Sequence, residues 1–231
     1  MKKEPLVVCL TNSVAANFTA NVLLAIGAKP AMMACPPEAE QLTALADALL
    51  INLGTVDPPQ AEAMKAAIDA ACAGSVPWVM DPVACHILDY RRALFNEFLE
   101  QSPAIVRGNH DEIDYLLKHS KIIEKSAAVL STGETDYLYS QSAEPSLTIS
   151  GGVAMLQRVT ATGCAQGAVC AAFLGWGQTP LVAAQSASEL MKKAGERAWT
   201  LATSPGGFQA ALLDALYELA PRFLGAGCDF L

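Results

Sequence analysis

A run of small residues, Val159-Thr160-Ala161-Thr162-Gly163-Cys164, leads straight into an apolar stretch over residues 165–174 that stops at Gly175. A tight turn feeding a helix N-terminus leaves several backbone N–H groups without intrahelical partners, aimed outward along the axis. Such an array holds anions, phosphate above all. A thiol at its mouth, here Cys164, feels the positive end of the helix dipole, which predicts a lowered pKa. The same residues also suit a plain turn that packs a core helix, so the motif draws its weight from its surroundings.

Those surroundings are polar residues that each close a short apolar run. Asn12 follows residues 6–10, Asn52 with Thr55 closes 49–53, and Asp81 follows 76–80. Arg107 with Asn109 ends 104–106, and Thr132 ends 127–131. In parallel sheets ligands bind at the carboxyl ends of the strands. One polar strand end is a turn; five in succession describe a site.

The elements that must position these residues alternate. Strands over 6–10, 31–34, 49–53, 76–80, 104–106 and 127–131 are interleaved with helices over 14–26, 36–48, 58–72, 90–99 and 111–117. The near-continuous apolar character of 49–53 is typical of a strand covered on both faces. Strand, polar loop and helix in repetition predict an α/β fold with a doubly wound, mostly parallel central sheet. Residues 137–140 and 147–150 read as short antiparallel edge strands, and Gly151-Gly152 as a turn. The rest is helical, over 165–174, 181–201 and 208–219, with Ser204-Pro205-Gly206-Gly207 as a loop. No repeat or linker interrupts the pattern, so residues 1–231 are read as one domain.

Composition removes several function classes. The chain is 52% hydrophobic and 16% charged, which excludes disorder and implies a large core, with apolar surface left over for an oligomer. A net charge of −8 argues against nucleic-acid binding and against a polybasic membrane patch. The seven cysteines include no Cys-x-x-Cys pair, and the three histidines have no metal spacing, so a disulfide framework or zinc site is not expected. Reduced thiols fit a cytoplasmic protein. The N-terminal apolar run is too short for a signal peptide, and no stretch is apolar and long enough to span a membrane. A Walker loop, a Gly-x-Gly-x-x-Gly turn after a strand and a Gly-x-Ser-x-Gly elbow are all missing. His86, His110 and His119 are too scattered to specify a Cys–His nucleophile.

Taken in order, the motifs resemble the hydroxyethylthiazole kinase family of the ribokinase-like superfamily. The resemblance runs through Val8-Cys9-Leu10-Thr11-Asn12, Phe18-Thr19-Ala20-Asn21, Leu24-Ala25-Ile26-Gly27-Ala28 and Pro30-Ala31-Met32. It continues through Leu50-Ile51-Asn52-Leu53-Gly54-Thr55, Asp81-Pro82-Val83, Arg107-Gly108-Asn109 with Glu112-Ile113, and Thr132-Gly133-Glu134-Thr135-Asp136-Tyr137. It closes with the turn at 160–164 and with Pro205-Gly206 and Phe208. The resemblance implies ATP-dependent phosphorylation of the primary alcohol of 4-methyl-5-(2-hydroxyethyl)thiazole in thiamine synthesis, with Mg²⁺ and a homotrimer. Carried over by position, it implies that Met32, Asn12 and Gly54 line the thiazole pocket and that Arg107 and Thr132 contact ATP. It implies Asp81 and Glu112 as the Mg²⁺ carboxylates, held directly or through water. Cys164 stands where most ribokinase-like enzymes carry an aspartate base; Gly163 and its neighbours supply the backbone anion hole, and Ala161 counts with Met32, Asn12 and Gly54 among the implied substrate-binding residues.

The sequence departs from the family at three places. Ala161 stands where the family usually has glycine, which costs on the order of 1 kcal/mol if the position needs positive φ. The stretch between Ile113 and Thr132 is shorter than expected, which bears on the nucleotide side. Ala84-Cys85-His86 replaces a glycine-bearing loop after Asp81-Pro82-Val83. A second reading of the same residues is therefore a non-catalytic thiazole- or nucleotide-binding relative, and a third is a related kinase for another small alcohol.

Overall fold

The computed structural model describes residues 4–224. Eight strands form one sheet in the order β2-β1-β3-β4-β5-β6-β7-β8. The strands are β1 (Leu6–Leu10), β2 (Lys29–Met32), β3 (Ala48–Asn52), β4 (Trp78–Asp81), β5 (Ile105–Asn109), β6 (Ala128–Thr132), β7 (Asp136–Tyr139) and β8 (Leu147–Ile149). The first six are parallel and the last two antiparallel, as the sequence pattern predicts.

Successive side chains of a strand point to opposite faces, and the core divides accordingly. Val7, Cys9, Leu50, Val79, Ile105 and Leu130 pack on one side. There they meet α1 (Ala16–Ala25), α7 (Thr162–Gly175), α8 (Pro180–Leu201) and α9 (Pro205–Leu219). Val8, Leu10, Ile51, Met80, Val106 and Val129 pack on the other. Their partners are α2 (Pro36–Thr43), α3 (Pro58–Gly74), α4 (Asp89–Leu99), α5 (His110–His119) and α6 (Ile122–Lys125). The fold is the doubly wound α/β sheet read from the sequence.

Caps fix where the site-bearing helices begin. Asp57 accepts a hydrogen bond from the Gln60 N–H at the start of α3, with Pro58 in the first turn. Asn109 and Glu112 form a reciprocal capping box on α5. The α7 helix is buried at every position from Ala165 to Leu174, because it lies against the sheet and under α8 and α1. Charge would be costly there, so the sequence shows small and apolar residues all round.

Several boundaries differ from the sequence reading. The second helix ends at Thr43 instead of running to residue 48. Asp47 exchanges backbone and side-chain hydrogen bonds with Leu6, which draws the chain into the sheet at once. Pro205, Gly206 and Gly207 are not a loop but the first turn of α9, with Ser204 in the extended residue before it. Proline suits that first turn because its missing N–H needs no partner. A 3₁₀ turn over Ala154–Arg158 and the short α6 carried no periodic signal of their own.

Ala161, immediately before α7, is left-handed with φ 71° and ψ −3°, and Ala84 has φ 61°. Both positions were read as departures from glycine, and both take a backbone shape in which a Cβ is strained. Replacing Ala161 by Gly should stabilise the protein by about 1 kcal/mol, raising Tm by a few degrees. Thermal unfolding of the variant against wild type should register the gain.

Candidate active site

The polar strand ends converge into one hydrogen-bonded line that crosses the sheet from strand to strand. Asn12, just past β1, donates through Nδ2 to Asn52 Oδ1 on β3 at 2.9 Å. Asn52 Nδ2 donates to Asp81 Oδ2 on β4 at 2.7 Å. Asp81 Oδ2 faces Arg107 Nη1 on β5 at 3.6 Å. Arg107 Nη2 donates to Thr132 Oγ1 on β6 at 2.6 Å, and that hydroxyl donates to the Gly108 carbonyl at 3.1 Å. All five side chains are buried. Parallel register makes the line possible, since Asn52 and Asp81 are direct partners and all five lie at the carboxyl edge.

Gly54 belongs to this line through what it lacks. A Cβ there would lie 2.8 Å from Asn12 Cβ and 2.9 Å from Asn52 Oδ1. Its N–H donates to Asn52 Oδ1 at 3.0 Å, so the glycine lets both asparagines close over the turn. Gly163 plays the same part at the mouth of α7, where a Cβ would lie 3.0 Å from Arg107 Nη2. The Arg107 cation is thereby pressed against the positive end of a helix, an arrangement that an anion between them would complete.

Two groups in the line are unfinished. Asp81 Oδ1 and Arg107 Nε are buried, and among the described residues neither has a hydrogen-bond partner. Burial pushes the Asp81 carboxyl up to about 6; the nearby Glu112 charge adds to this and Arg107 opposes it. Glu112 itself spends both oxygens on backbone, accepting from the Ala84 N–H at 2.7 Å and the Asn109 N–H at 2.9 Å. It thus holds the left-handed Ala84 in place.

Cys164 takes a hydrogen bond from Asn12 Nδ2 at 3.2 Å. The expected depression of its pKa is overturned. Burial raises it, Asp81 raises it further, and Arg107 and the two asparagine amides oppose without prevailing. Desolvation and a neighbouring carboxylate outweigh the helix dipole, so at neutral pH Cys164 is a thiol.

Two cavities open on either side of this line. One, of about 280 Å³, is lined by Arg107, Thr132, Gly163 and Gln166 together with Leu156 and Lys192. None of residues 113–131 lines it, so the shortened segment does not form its wall. Lys192 shapes it from α8, donating to the carbonyls of Gly133, Glu134 and Gly151 and pairing with Asp136 Oδ1 at 3.2 Å. The other cavity, of about 480 Å³, is lined by Met32, Met33, Cys9, Thr11, Thr55 and Gln60, among others. Asn12 and Gly54 are not part of its lining, although Thr11, Ser13 and Thr55, their chain neighbours, are. The Asn12–Cys164 hydrogen bond joins the two sides, because Asn12 stands between Thr11 and Ser13 of one cavity and Cys164 follows Gly163 of the other. His86 lines neither cavity; its backbone carbonyl accepts from Arg92.

Sequence reasoning flagged Asn52 only as a polar strand end, although it is the central bridge. It gave no sign of Lys192 or Gln166, which lie in long helical segments and reach the site only through packing. Among the described residues no three His, Cys, Asp or Glu side chains gather as a self-sufficient metal cage, and no helix is long and apolar enough to cross a membrane.

Comparison with known proteins points the same way. A model of the hydroxyethylthiazole kinase family matches residues 1–126 and 119–222, the two segments overlapping over 119–126. The chain is 45% identical to the hydroxyethylthiazole kinase of Cronobacter sakazakii, over 95% of this chain and 90% of that one. It is 43% identical to that of Akkermansia muciniphila, over 98% and 91%. The structure of the Pyrococcus horikoshii hydroxyethylthiazole kinase superposes with a TM-score of 0.85 at 35% identity, over 93% and 88%. The pyridoxal kinase of Staphylococcus aureus, solved with AMP-PCP and pyridoxal, shares the fold alone, at a TM-score of 0.61 and 17% identity. By sequence along nearly its whole length and by fold, the chain belongs to the hydroxyethylthiazole kinase family.

Proposed function

We propose that this protein transfers the terminal phosphoryl group of ATP to the primary alcohol of 4-methyl-5-(2-hydroxyethyl)thiazole, in the cytoplasm and as a homotrimer. The observation that carries the reading is the pairing of two cavities across one unfinished polar line. The Arg107 side takes the triphosphate, the Met32 side takes the thiazole, and the hydroxyl meets the phosphoryl group near Cys164.

Phosphoryl transfer is chiefly a matter of positioning and of stabilising charge on the moving group. Arg107 is the fixed cation for that charge. Thr132 acts by holding the guanidinium at 2.6 Å, since its own proton goes to the Gly108 carbonyl. The N–H groups at the start of α7 add donors that need no reorganisation, because the left-handed turn at Ala161 is already in place. Cys164, as a thiol, orients the substrate hydroxyl and is a weak base at best. A loose transition state makes small demands on a base.

Mg²⁺ takes oxygen ligands, keeps waters and needs only one or two carboxylates beside the phosphates. The residues fit it: Asp81 Oδ1 is the unpartnered oxygen, and Glu112, with both oxygens already on backbone N–H groups, contributes charge through water. When bound, the ion neutralises charge on the phosphates; Asp81 would hold it and Arg107 would face it.

The reading is tested by incubating the purified protein with Mg-ATP and the thiazole and weighing the product. Thiazole phosphate is expected, and only unchanged thiazole would sink the proposal. Asp81→Asn should abolish turnover. With wild type, kcat/KM for Mg-ATP should fall about tenfold per pH unit below about 6, as Asp81 takes up its proton.

The same variant has an opposite effect on stability. The folded state binds the Asp81 proton more tightly than the unfolded chain, so this group lowers stability as pH rises from 3.8 to about 6. Asp81→Asn should therefore gain up to about 3 kcal/mol at pH 8 and little at pH 4, measured by denaturant unfolding. Arg107→Ala should cut kcat/KM for ATP by about 100-fold or more while thiazole binding, followed by calorimetry, stays intact; equal loss of both would contradict the division of the site.

A further inference from the structure

Gln166 is an amide with nothing to bind. It is 6% exposed on a helix that is otherwise apolar, and among the described residues neither its Nε2 nor its Oε1 has a hydrogen-bond partner. The side chain is largely covered by protein, yet its amide atoms are not sealed off, so a polar group without a protein partner is presented to the space beside it. Gln166 lines the Arg107 cavity. It lies three residues beyond Gly163 on α7 and so on the same helix face as the anion-holding turn.

Two side-chain donors of that cavity are already spent. Lys192 divides its ammonium among three carbonyls and Asp136, which leaves no proton for a ligand. Thr132 spends its proton on the Gly108 carbonyl. The Asn109 and Gln157 amides lie at the exposed rim. What remains on the buried part of this wall is the Arg107 guanidinium, the backbone N–H groups at the head of α7, and the Gln166 amide one turn deeper. A neutral donor here suits a phosphate oxygen, and it adds no charge to a helix where charge would be costly.

We propose that Gln166 is a nucleotide-binding residue whose side-chain amide donates a hydrogen bond to the phosphate chain of the bound nucleoside triphosphate. The inference rests on the reading that the Arg107 cavity takes ATP. In the empty protein the amide has no protein partner; in the complex it is paired.

The test uses Gln166→Leu and Gln166→Glu, with ATP kinetics, inhibition by inorganic tripolyphosphate, and thermal unfolding of the ligand-free protein. In Gln166→Leu the KM for ATP and the Ki of tripolyphosphate should rise together by about tenfold or more. The thiazole KM should stay put, and Tm should hold or climb by a few degrees. Gln166→Glu keeps the shape but sets a carboxylate against the phosphates, so its loss should exceed that of the leucine variant.

Unaltered ATP KM and tripolyphosphate Ki in Gln166→Leu, with wild type active, would overturn the assignment. So would a rise in ATP KM with no change in tripolyphosphate Ki, or a fall in Tm accompanied by equal changes in both substrate KM values. A wild-type protein that neither uses ATP nor binds tripolyphosphate would remove the parent reading, and this one with it, an outcome the wild-type control alone identifies.

Discussion

The line Asn12–Asn52–Asp81–Arg107–Thr132 is the constraint on which the rest of the site depends. Each link ties one strand end to the next. Buried side chains of this kind are stable only when their partners are present, because a lone buried donor or carboxylate costs more than a good hydrogen bond returns. The line therefore demands parallel register across β1, β3, β4, β5 and β6, glycine at 54 and 163, and an anion or cation to satisfy what the protein leaves open. Along the line, the buried side-chain atoms left without a partner are Asp81 Oδ1 and Arg107 Nε. They belong to the carboxylate and the guanidinium that face each other through Asp81 Oδ2 and Arg107 Nη1.

Strain is concentrated around the same point. Ala84 and Ala161 are both left-handed, one after β4 and the other at the head of α7. Neither is held by its own preference. The Ala84 N–H is fixed by Glu112, which is in turn locked by the capping box of α5. Ala161 is fixed from the far side, where the Thr162 hydroxyl donates to the Leu156 and Val159 carbonyls of the preceding 3₁₀ turn. Backbone held in sparsely populated shapes by surrounding structure is characteristic of functional sites. Here it sets the start of α7 beside the Arg107 cavity with alanine, not glycine, at the left-handed position.

Most of the architecture was legible in the residues because its signals are local. Six apolar runs, the first five each followed by a helix, define a doubly wound sheet, and the five polar ends mark its carboxyl edge. The short antiparallel strands β7 and β8 were legible for the same reason. What escaped depends on three-dimensional packing. An alanine does not announce positive φ, so the left-handed turn at 161 could be posed only as a question and the one at 84 was not foreseen. The pKa of Cys164 was misread because the dipole of its helix is visible in sequence while the burial and the carboxylate that outweigh it are not. Lys192 lies on the buried face of α8, among Ala184, Ala187, Ser188 and Leu190, and nothing along the helix tells which turn it will clamp.

That clamp shows what holds the Arg107 cavity wall. The turn at Gly133–Glu134 joins β6 to β7, and its tip is held by side chains from other elements. It is held from below by His110, whose Nε2 meets the Thr135 carbonyl at 2.8 Å and whose ring fills the space a Cβ on Gly133 would need. It is held from the side by Lys192 and Asp136, with Ser188 donating to the second Asp136 oxygen at 2.7 Å. Every polar group of this buried cluster is paired, which is the condition under which such a network rigidifies its surroundings. The wall of the Arg107 cavity thus draws its rigidity from α8 and the first turn of α5, elements that the core already fixes. The length of the connection between α5 and β6 is left free to vary.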